Sequence, residues 1–255
     1  MLLVLDVGNT NITIGVFEGE RLALVSRMST ELSKMEDQYA IELCNILDLY
    51  KVDSRAFSGA VLSSVVPSLD RALCHAVEKV TGVRPMQVRP GIKTGLNIRI
   101  DNPNQLGADL LVGAVAAVEQ YGAPCIVWDL GTATTVSVVD KDGAFRGGAI
   151  MAGVYTALDS LASRASLLPR IGMDVPERCI GRNTVECMQS GTVFGTAAMI
   201  DGMCARIEEE LGYSARVIVT GGLGREVSSV CRCEMTYAPD LLLDGLRFIY
   251  EKNKK

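Results

Sequence analysis

The chain opens with Leu2-Leu3-Val4-Leu5-Asp6-Val7-Gly8-Asn9-Thr10-Asn11-Ile12-Thr13-Ile14-Gly15-Val16, and the rest of the sequence is organised around this stretch. Its first apolar run is too short for a helix, and apolar residues alternate with others after the turn, which predicts a strand, a tight turn and a second strand. Asp6 ends the first strand, where a buried carboxylate requires a cation or hydrogen-bond donors. The stretch therefore predicts a metal-phosphate site at the turn.

Two interpretations of this turn are open. Gly8 would let backbone N–H groups approach a ligand closely, and the side chains of Asn9, Thr10, Asn11 and Thr13 add donors that suit phosphate oxygens. Alternatively, the turn is a plain hairpin whose Gly-Asn pair needs positive φ. The same few residue types serve both purposes, so a second copy of the pattern would favour the phosphate site.

Size and composition describe a globular protein. The chain has 255 residues, enough for one large domain or two ordinary ones, with 48% hydrophobic and 22% charged residues. No apolar run reaches the roughly eighteen residues that a membrane span needs. The first residues lack a basic region and place Asp6 inside the apolar segment, so they do not resemble a signal peptide. We therefore expect a soluble, cytoplasmic protein without a membrane partner.

Net charge and cysteine usage bear on possible partners and on possible metal or redox sites. The net charge is −5, and the only basic cluster is the tail of Lys252, Lys254 and Lys255, which argues against a nucleic-acid partner. The eight cysteines are scattered, and without an export signal we predict that they are reduced core residues. Cys231-Arg232-Cys233 is the only close pair and a weak metal or redox signal.

The opening pattern returns near the middle of the chain, in Cys125-Ile126-Val127-Trp128-Asp129-Leu130-Gly131-Thr132-Ala133-Thr134-Thr135. A strand again ends in Asp, an apolar residue, Gly and hydroxyl donors. Further on, Val217-Ile218-Val219-Thr220-Gly221-Gly222 matches the place of Gly59 to Ser64 in the first half. This duplication predicts two domains, residues 1–121 and 122–255. Between the motifs, the patterning predicts helices near 35–50, 68–80, 102–121, 154–165, 184–211 and 241–251.

Two such βββαβα-type halves resemble the actin, hexokinase and heat-shock chaperone superfamily, an α/β class of ribonuclease H-like, actin-like ATPase fold. This resemblance implies an ATP cleft between the two domains. The segments 6–13 and 129–134 resemble its two phosphate loops, and Thr220-Gly221-Gly222 resembles its adenosine motif. A P-loop is absent, and the Gly222-Leu223-Gly224 stretch lacks the third glycine of a dinucleotide-binding fingerprint.

Within that superfamily the chain most closely resembles type III pantothenate kinase, and the resemblance covers essentially the whole sequence. The motifs that carry it are Asp6-Val7-Gly8-Asn9-Thr10, Ser63-Ser64-Val65-Val66-Pro67, Asp101-Asn102-Pro103, Gly107-Ala108-Asp109, Asp129-Leu130-Gly131-Thr132-Ala133-Thr134, Asn183-Thr184 and Thr220-Gly221-Gly222. Members of the family phosphorylate pantothenate to 4′-phosphopantothenate with ATP, the first step towards coenzyme A. They are homodimers that need Mg²⁺ and a monovalent cation, K⁺ or NH₄⁺.

The resemblance also implies roles for individual residues. Asp109 would be the catalytic base, Asp6 would hold Mg²⁺ through the phosphates, and Asp129 would bind the monovalent cation. The implied ATP contacts are Asp6, Val7, Gly8, Asn9, Thr10, Asn11, Ile12, Thr13, Thr132, Gly221 and Gly222. The implied pantothenate contacts are Ile100, Gly107, Ala108, Asp109, Leu110 and Thr184.

Three of these features also have plainer explanations. Asp109 is the lone acid on the apolar helix between Leu106 and Val118, so we expect it at a cleft or beside a partner, although a solvated acid near a helix N-terminus would look the same. Thr184 follows Asn183, which could form a capping pair with Glu186. The small residues of 191–198 permit close helix contact, either within the chain or across a dimer.

Two positions depart from the family pattern. The family usually has Arg where this chain has Leu110, and Tyr where it has Ile100. Both lie on the acceptor side, so they bear on the identity or affinity of the acceptor and leave ATP binding untouched. The alternatives are a kinase of the same fold acting on another small hydroxyl compound, and a nucleotide-binding regulatory accessory protein. Retention of Asp109 favours an enzyme, because a pure binder has no need of a base.

Overall fold

The computed structural model describes residues 1–254, which form an α/β structure of two compact units. Among the described residues, unit 1 comprises residues 1–96, 101–119 and 241–254, and unit 2 comprises residues 97–100 and 120–240. The strands are β1 (Leu2–Val7), β2 (Asn11–Glu18), β3 (Arg21–Ser29), β4 (Gly59–Ser64), β5 (Met86–Gln87), β6 (Asn97–Ile98), β7 (Cys125–Leu130), β8 (Ala133–Val139), β9 (Ala144–Ala152), β10 (Arg216–Thr220) and β11 (Met235–Tyr237). The helices are α1 (Glu36–Leu49), α2 (Asp70–Thr81), α3 (Ala108–Tyr121), α4 (Val154–Arg164), α5 (Thr184–Leu211), α6 (Gly224–Ser228) and α7 (Leu241–Asn253).

The two sheets repeat one topology. The sheet of unit 1 has the order β3-β2-β1-β4-β5, and the sheet of unit 2 has the order β9-β8-β7-β10-β11 with β6 added beside β9. In both, the first three strands are antiparallel and the fourth and fifth run parallel to the first. The predicted duplication and the predicted fold class are thereby confirmed.

Unit 1 packs helices on both faces of its sheet. Leu3, Leu5 and Val7 of β1 are buried with side chains of α1 and α2 in one apolar core. On the other face α7 lies against β1 and β4, and a Cβ placed on Gly59 would overlap the Tyr250 hydroxyl. The last helix therefore belongs with the first unit, whereas the sequence division at residue 121 puts it in the second domain.

Unit 2 buries its core between the sheet and helices α4, α5 and α6. Trp128 of β7 is fully buried, and its Nε1 donates a hydrogen bond of 3.3 Å to the Cys204 sulfur on α5. All eight cysteines are free thiols. Cys125 and Cys204 are buried, but Cys44, Cys179 and Cys187 are exposed, so the prediction of core cysteines is wrong for these three.

Two local predictions differ from the structure. The helix expected from residue 102 begins only at Ala108, because a 3-10 turn at Pro103–Gln105 ends in an extended Leu106. Neither α6 nor β11 was predicted, because both are short and lie in a stretch without clear periodicity. Within residues 1–254, no helix is both long and apolar enough to cross a bilayer.

Candidate active site

The turn between β1 and β2 is held by hydrogen bonds to its own carbonyl groups. The Gly8 N–H donates to the Asn11 carbonyl at 3.0 Å, while the Thr30 hydroxyl donates to the Gly8 carbonyl at 2.7 Å. The Thr30 N–H donates to the Thr10 carbonyl at 3.0 Å. These bonds occupy carbonyl oxygens that would otherwise repel an anion, so the loop is suited to phosphate.

Backbone conformation describes the type of this turn. β1 and β2 form an antiparallel hairpin, and in the described chain neither Gly8 nor Asn9 has the positive φ that was expected of a plain Gly-Asn turn. A Cβ on Gly8 would lie 3.1 Å from the Asn11 carbonyl oxygen. The glycine therefore permits the close approach of its own backbone to Asn11, whose carbonyl accepts the Gly8 N–H within the turn.

Asp6 stands between two hydroxyl-bearing residues at the end of β1. It is half-buried, whereas its neighbours in the strand are buried. In the strand register it lies opposite Thr13 of β2 and Ser63 of β4. Ser63 is fully buried, and its Oγ has no hydrogen-bond partner among the described residues. This end of the sheet thus presents oxygen atoms suited to a cation or to its bound water.

The second loop, Gly131-Thr132, is built in the same way in unit 2. The Gly131 N–H donates to the Ala133 carbonyl at 3.1 Å, and the Thr156 hydroxyl donates to the Thr132 carbonyl at 2.8 Å. A Cβ on Gly153 would lie 2.2 Å from the Thr132 carbonyl oxygen, so only glycine fits there.

Sequence reasoning missed the residues that support these two loops. Thr30 supports the first loop, and Gly153 and Thr156 support the second. The signal was positional, because Thr30 and Gly153 each follow directly on the third strand of their unit.

Asp129 lies against the glycine pair that follows β10. It is half-buried, like Asp6, and sits opposite Thr135 and Thr220 in the strand register. Gly221 has φ +91°, and a Cβ there would lie 2.6 Å from the Leu130 backbone and 2.7 Å from Asp129 Oδ1. Any side chain at residue 221 would displace the carboxylate or the loop. A Cβ on the exposed Gly222 would meet no atom within 4 Å, which leaves its backbone open to a ligand.

Asp109 occupies the first turn of α3. Its Oδ1 accepts a hydrogen bond of 2.8 Å from the Leu110 N–H, and a Cβ on Gly107 would lie 2.5 Å from the same oxygen. Asp109 is half-buried, and residues 110–118 of the helix that follow it are all apolar, before Glu119 near the helix end. The glycine thus gives the carboxylate room at the edge of the apolar core.

The predicted acceptor residues lie in three separate parts of the chain. Gly107 directly precedes α3, and Ala108, Asp109 and Leu110 form the first turn of that helix, in unit 1. Ile100 and Thr184 belong to unit 2, where Ile100 is half-buried and Thr184 is exposed.

The first residues of α5 show which side chains cap the helix. Asn183 is the N-cap, its side chain accepting from the Glu186 N–H at 2.9 Å, while its amide donates to the Glu186 carboxylate at 2.8 Å. The pair explains Asn183 and Glu186, and leaves the exposed Thr184 without a capping function.

The small-residue face of α5 opens on a pocket of about 430 Å³ between α4 and α5. A Cβ on Gly191 or Gly195 would meet no atom within 4 Å, so packing within the chain does not explain these glycines. The pocket is mostly apolar, and large side chains nearby in the chain, including Tyr155 and Leu161, are exposed.

A divalent metal fits the first loop best as a partner of bound phosphates. No group of three or more His, Cys, Asp and Glu side chains within residues 1–254 could hold a metal ion alone. Asp6 supplies one carboxylate beside the hydroxyls of Thr13 and Ser63. Mg²⁺ is commonly bound by one or two carboxylates together with substrate phosphates and water.

Comparison with known proteins gives a consistent result. The type III pantothenate kinase family matches residues 2–206. A type III pantothenate kinase of Moorella thermoacetica is 42% identical over 99% of this chain and 100% of its own length. Another from an Exiguobacterium species is 42% identical over 100% of both chains.

Solved structures with similar folds are much more distant in sequence. A protein of Campylobacter jejuni described as a Baf family transcriptional activator has a TM-score of 0.61 at 16% identity, covering 98% of both chains. The (R)-2-hydroxyglutaryl-CoA dehydratase component A of Acidaminococcus fermentans has a TM-score of 0.56 at 13% identity, covering 99% of this chain and 98% of its own. These likenesses show the fold alone, the two-domain ATPase fold of the actin and hexokinase type.

Proposed function

This chain belongs to the type III pantothenate kinase family and phosphorylates pantothenate with ATP, forming 4′-phosphopantothenate on the way to coenzyme A, and we propose that Asp109 is its catalytic base. The observation that carries this proposal is the half-buried Asp109 carboxylate in the first turn of a helix whose next residues, 110–118, are all apolar. One carboxylate that orients the acceptor hydroxyl is sufficient for phosphoryl transfer, which depends mostly on positioning and charge neutralisation. Steady-state assays of ADP release test this function, since release should require pantothenate.

The two loops have separate proposed roles. Residues 6–13 bind the phosphates of ATP, and Asp6 holds Mg²⁺ through those phosphates. In unit 2, Thr132, Gly221 and Gly222 contact the nucleotide, and Asp129 binds K⁺ or NH₄⁺. Carbonyls bonded within the loops and the exposed Gly222 backbone support these assignments. The bound cations would offset the negative charge of the phosphates.

The acceptor site is proposed at the first turn of α3, with Gly107, Ala108, Asp109 and Leu110, together with Ile100 and Thr184. Gly107 supports this role because it leaves space for the Asp109 carboxylate. Thr184 supports it because the helix cap does not use its side chain. Leu110 replaces the usual arginine and cannot donate hydrogen bonds to the acceptor from its side chain.

Restoring arginine at position 110 tests the acceptor site. If that arginine binds pantothenate through a charge-assisted hydrogen bond, worth about 1.5–3 kcal/mol, Leu110→Arg should lower the KM for pantothenate by about 10- to 150-fold. The KM for ATP should stay unchanged, because the residue is proposed to face the acceptor. A shift in the ATP constant alone would show that residue 110 faces the nucleotide.

A homodimer is proposed with α5 in its interface. The face at Gly191 and Gly195 opens on the α4–α5 pocket, and exposed large side chains such as Tyr155 and Leu161 belong to the same region. A second copy would cover this surface and exclude water from it.

Gly195→Leu tests that interface. A Cβ at this position meets nothing within the chain, so the protomer should fold normally while the larger side chain obstructs the partner. We expect association in analytical ultracentrifugation to weaken by about 5- to 150-fold, since overpacking commonly costs about 1–3 kcal/mol. A wild-type protein that is monomeric and fully active at the same concentration would contradict the dimer.

The state of the cysteines bears on where in the cell the enzyme works. We place the enzyme in the cytoplasm, since its eight cysteines are all free thiols.

Two alternative functions would keep the same two loops. One is a kinase acting on another hydroxyl compound, and the other is a regulatory protein that only binds nucleotide. The proposed base on α3 distinguishes an enzyme from the pure binder.

A further inference from the structure

Unit 2 places three oxygen-bearing side chains side by side at one end of its sheet. Asp129 of β7 lies opposite Thr135 of β8 and opposite Thr220 of β10 in the strand registers. Residues directly opposite one another on neighbouring strands point to the same face, with strands about 4.8 Å apart. A carboxylate therefore stands between two hydroxyl groups in a single row.

The Thr220 hydroxyl is the unexplained member of this row. Thr220 is 1% exposed, and its Oγ1 has no hydrogen-bond partner among the described residues. A buried hydroxyl without a partner is destabilising, and it requires an explanation such as an ion or water that is part of the functional protein. Since Gly221 lies close to Asp129 Oδ1, the carboxylate is beside the end of the Thr220 strand.

The same arrangement recurs in unit 1. Asp6 lies between Thr13 and Ser63, and Ser63 is also fully buried with an Oγ that lacks a partner in the described chain. Both units therefore place an unsatisfied hydroxyl on the strand that runs parallel to the one carrying the aspartate. The recurrence argues against an accident of packing at Thr220.

We propose that Thr220 Oγ1 is a ligand of the monovalent cation, completing a site with Asp129 in unit 2. This inference rests on the proposed position of that cation at Asp129. Carboxylate and hydroxyl oxygens are the ligands that hard cations prefer, and one negative charge with neutral oxygens suits a singly charged ion. The bound cation satisfies the oxygen that the protein itself leaves without a partner.

Thr134 provides a matched control for the loss of a buried hydroxyl, because no ligand contact is proposed for it, although it ends the segment 129–134. Its Oγ1 is likewise buried and lacks a partner in the described residues. However, Thr134 is adjacent to Thr135 in β8, so its side chain points to the other face, where it lines the α4–α5 pocket. Thr134→Val and Thr220→Val each remove a buried threonine hydroxyl from the sheet of unit 2, on opposite faces of that sheet.

The test compares these two variants in thermal unfolding and in K⁺ titrations. Valine has the shape of threonine, so removing an unsatisfied hydroxyl should raise the Tm of each ligand-free variant by about 2–4 °C. In the presence of ATP and Mg²⁺, the K⁺ concentration for half-maximal stabilisation should rise at least about 10-fold in Thr220→Val and stay at the wild-type value in Thr134→Val. Thr220→Ser, which keeps the hydroxyl, should restore the K⁺ response.

The role of Thr220 as a cation ligand can fail independently of the proposed cation position at Asp129. A Thr220→Val protein with the wild-type K⁺ response overturns the role of Thr220, whatever Asp129 does. A lower Tm with an unchanged K⁺ response would also overturn it, by showing that the hydroxyl is structural. If Thr220→Val raises the K⁺ requirement while Asp129→Ala does not, Thr220 stands as a ligand and the assignment of Asp129 fails.

Discussion

Asp109→Asn is expected to lower kcat by about 10²- to 10⁴-fold while ATP binding is preserved. The factor is that expected for the loss of a general base, because the amide cannot accept the proton of the acceptor hydroxyl. Asparagine keeps the oxygen that accepts the Leu110 N–H bond, so the first turn of α3 should remain intact. Steady-state kinetics with pantothenate and calorimetric titration with ATP measure the two effects separately.

Glu119→Gln is the matched control on the same helix. Glu119 forms an ion pair of 2.8 Å with Lys252 near the other end of α3, so its loss removes an equal charge without touching the proposed base. We expect wild-type turnover in this variant. Wild-type turnover in Asp109→Asn would refute the assignment of Asp109.

Asp129→Ala is expected to lose most of its activity, and to lose its response to K⁺ at the concentrations that activate the wild type. The carboxylate is the only charged member of the row with Thr135 and Thr220, so the cation affinity should fall by at least about 100-fold. Titration of activity with K⁺ at saturating ATP and pantothenate measures this loss. The comparison variant is Asp142→Ala, which removes an exposed carboxylate from a turn of the same unit.

The K⁺ dependence of Asp129→Ala separates two causes of inactivity. If low activity results from the missing cation, it should rise at high K⁺ without reaching the wild-type level, and Asp142→Ala should titrate normally. An Asp129→Ala enzyme that shows full K⁺ activation at ordinary concentrations would place the cation elsewhere.

The architecture was predictable because its signal is local and occurs twice. Each unit begins with a short apolar strand that ends in Asp-x-Gly, and the burial pattern of β1 recurs in β7. Alternation along the following strands predicted the two meanders, and the sheet orders confirm the repeat. Such hydrophobic patterns can be recognised from residues that are neighbours in the sequence.

Features that depend on distant parts of the chain were not predictable. Gly59 and Gly245 are small because Tyr250 and Val112 pack against them, which no local pattern reveals, and so the return of α7 to unit 1 was missed. Likewise β6 is two residues long and exists through its pairing with β9.

The candidate site was predicted in its residue types and not in its supporting contacts. The acidic and glycine residues of both loops stand out in the sequence, whereas Thr30 and Thr156 act through single hydrogen bonds to carbonyl groups. The start of α3 at Ala108 also depends on the extended Leu106. Hydrophobic periodicity cannot locate such a break in a helix. The break nevertheless matters, because it places Asp109 in the first turn of α3.

The most direct test of the central claim is mass spectrometry of the products formed from pantothenate, Mg-ATP and K⁺. A panel of other small hydroxyl compounds should be incubated in parallel, with the Asp109→Asn protein as the control. We predict phosphorylated pantothenate, formed with ADP in equal amount and nearly absent with the variant. Phosphorylation of another compound alone, or nucleotide binding without any phosphorylated product, would contradict the assignment as a pantothenate kinase.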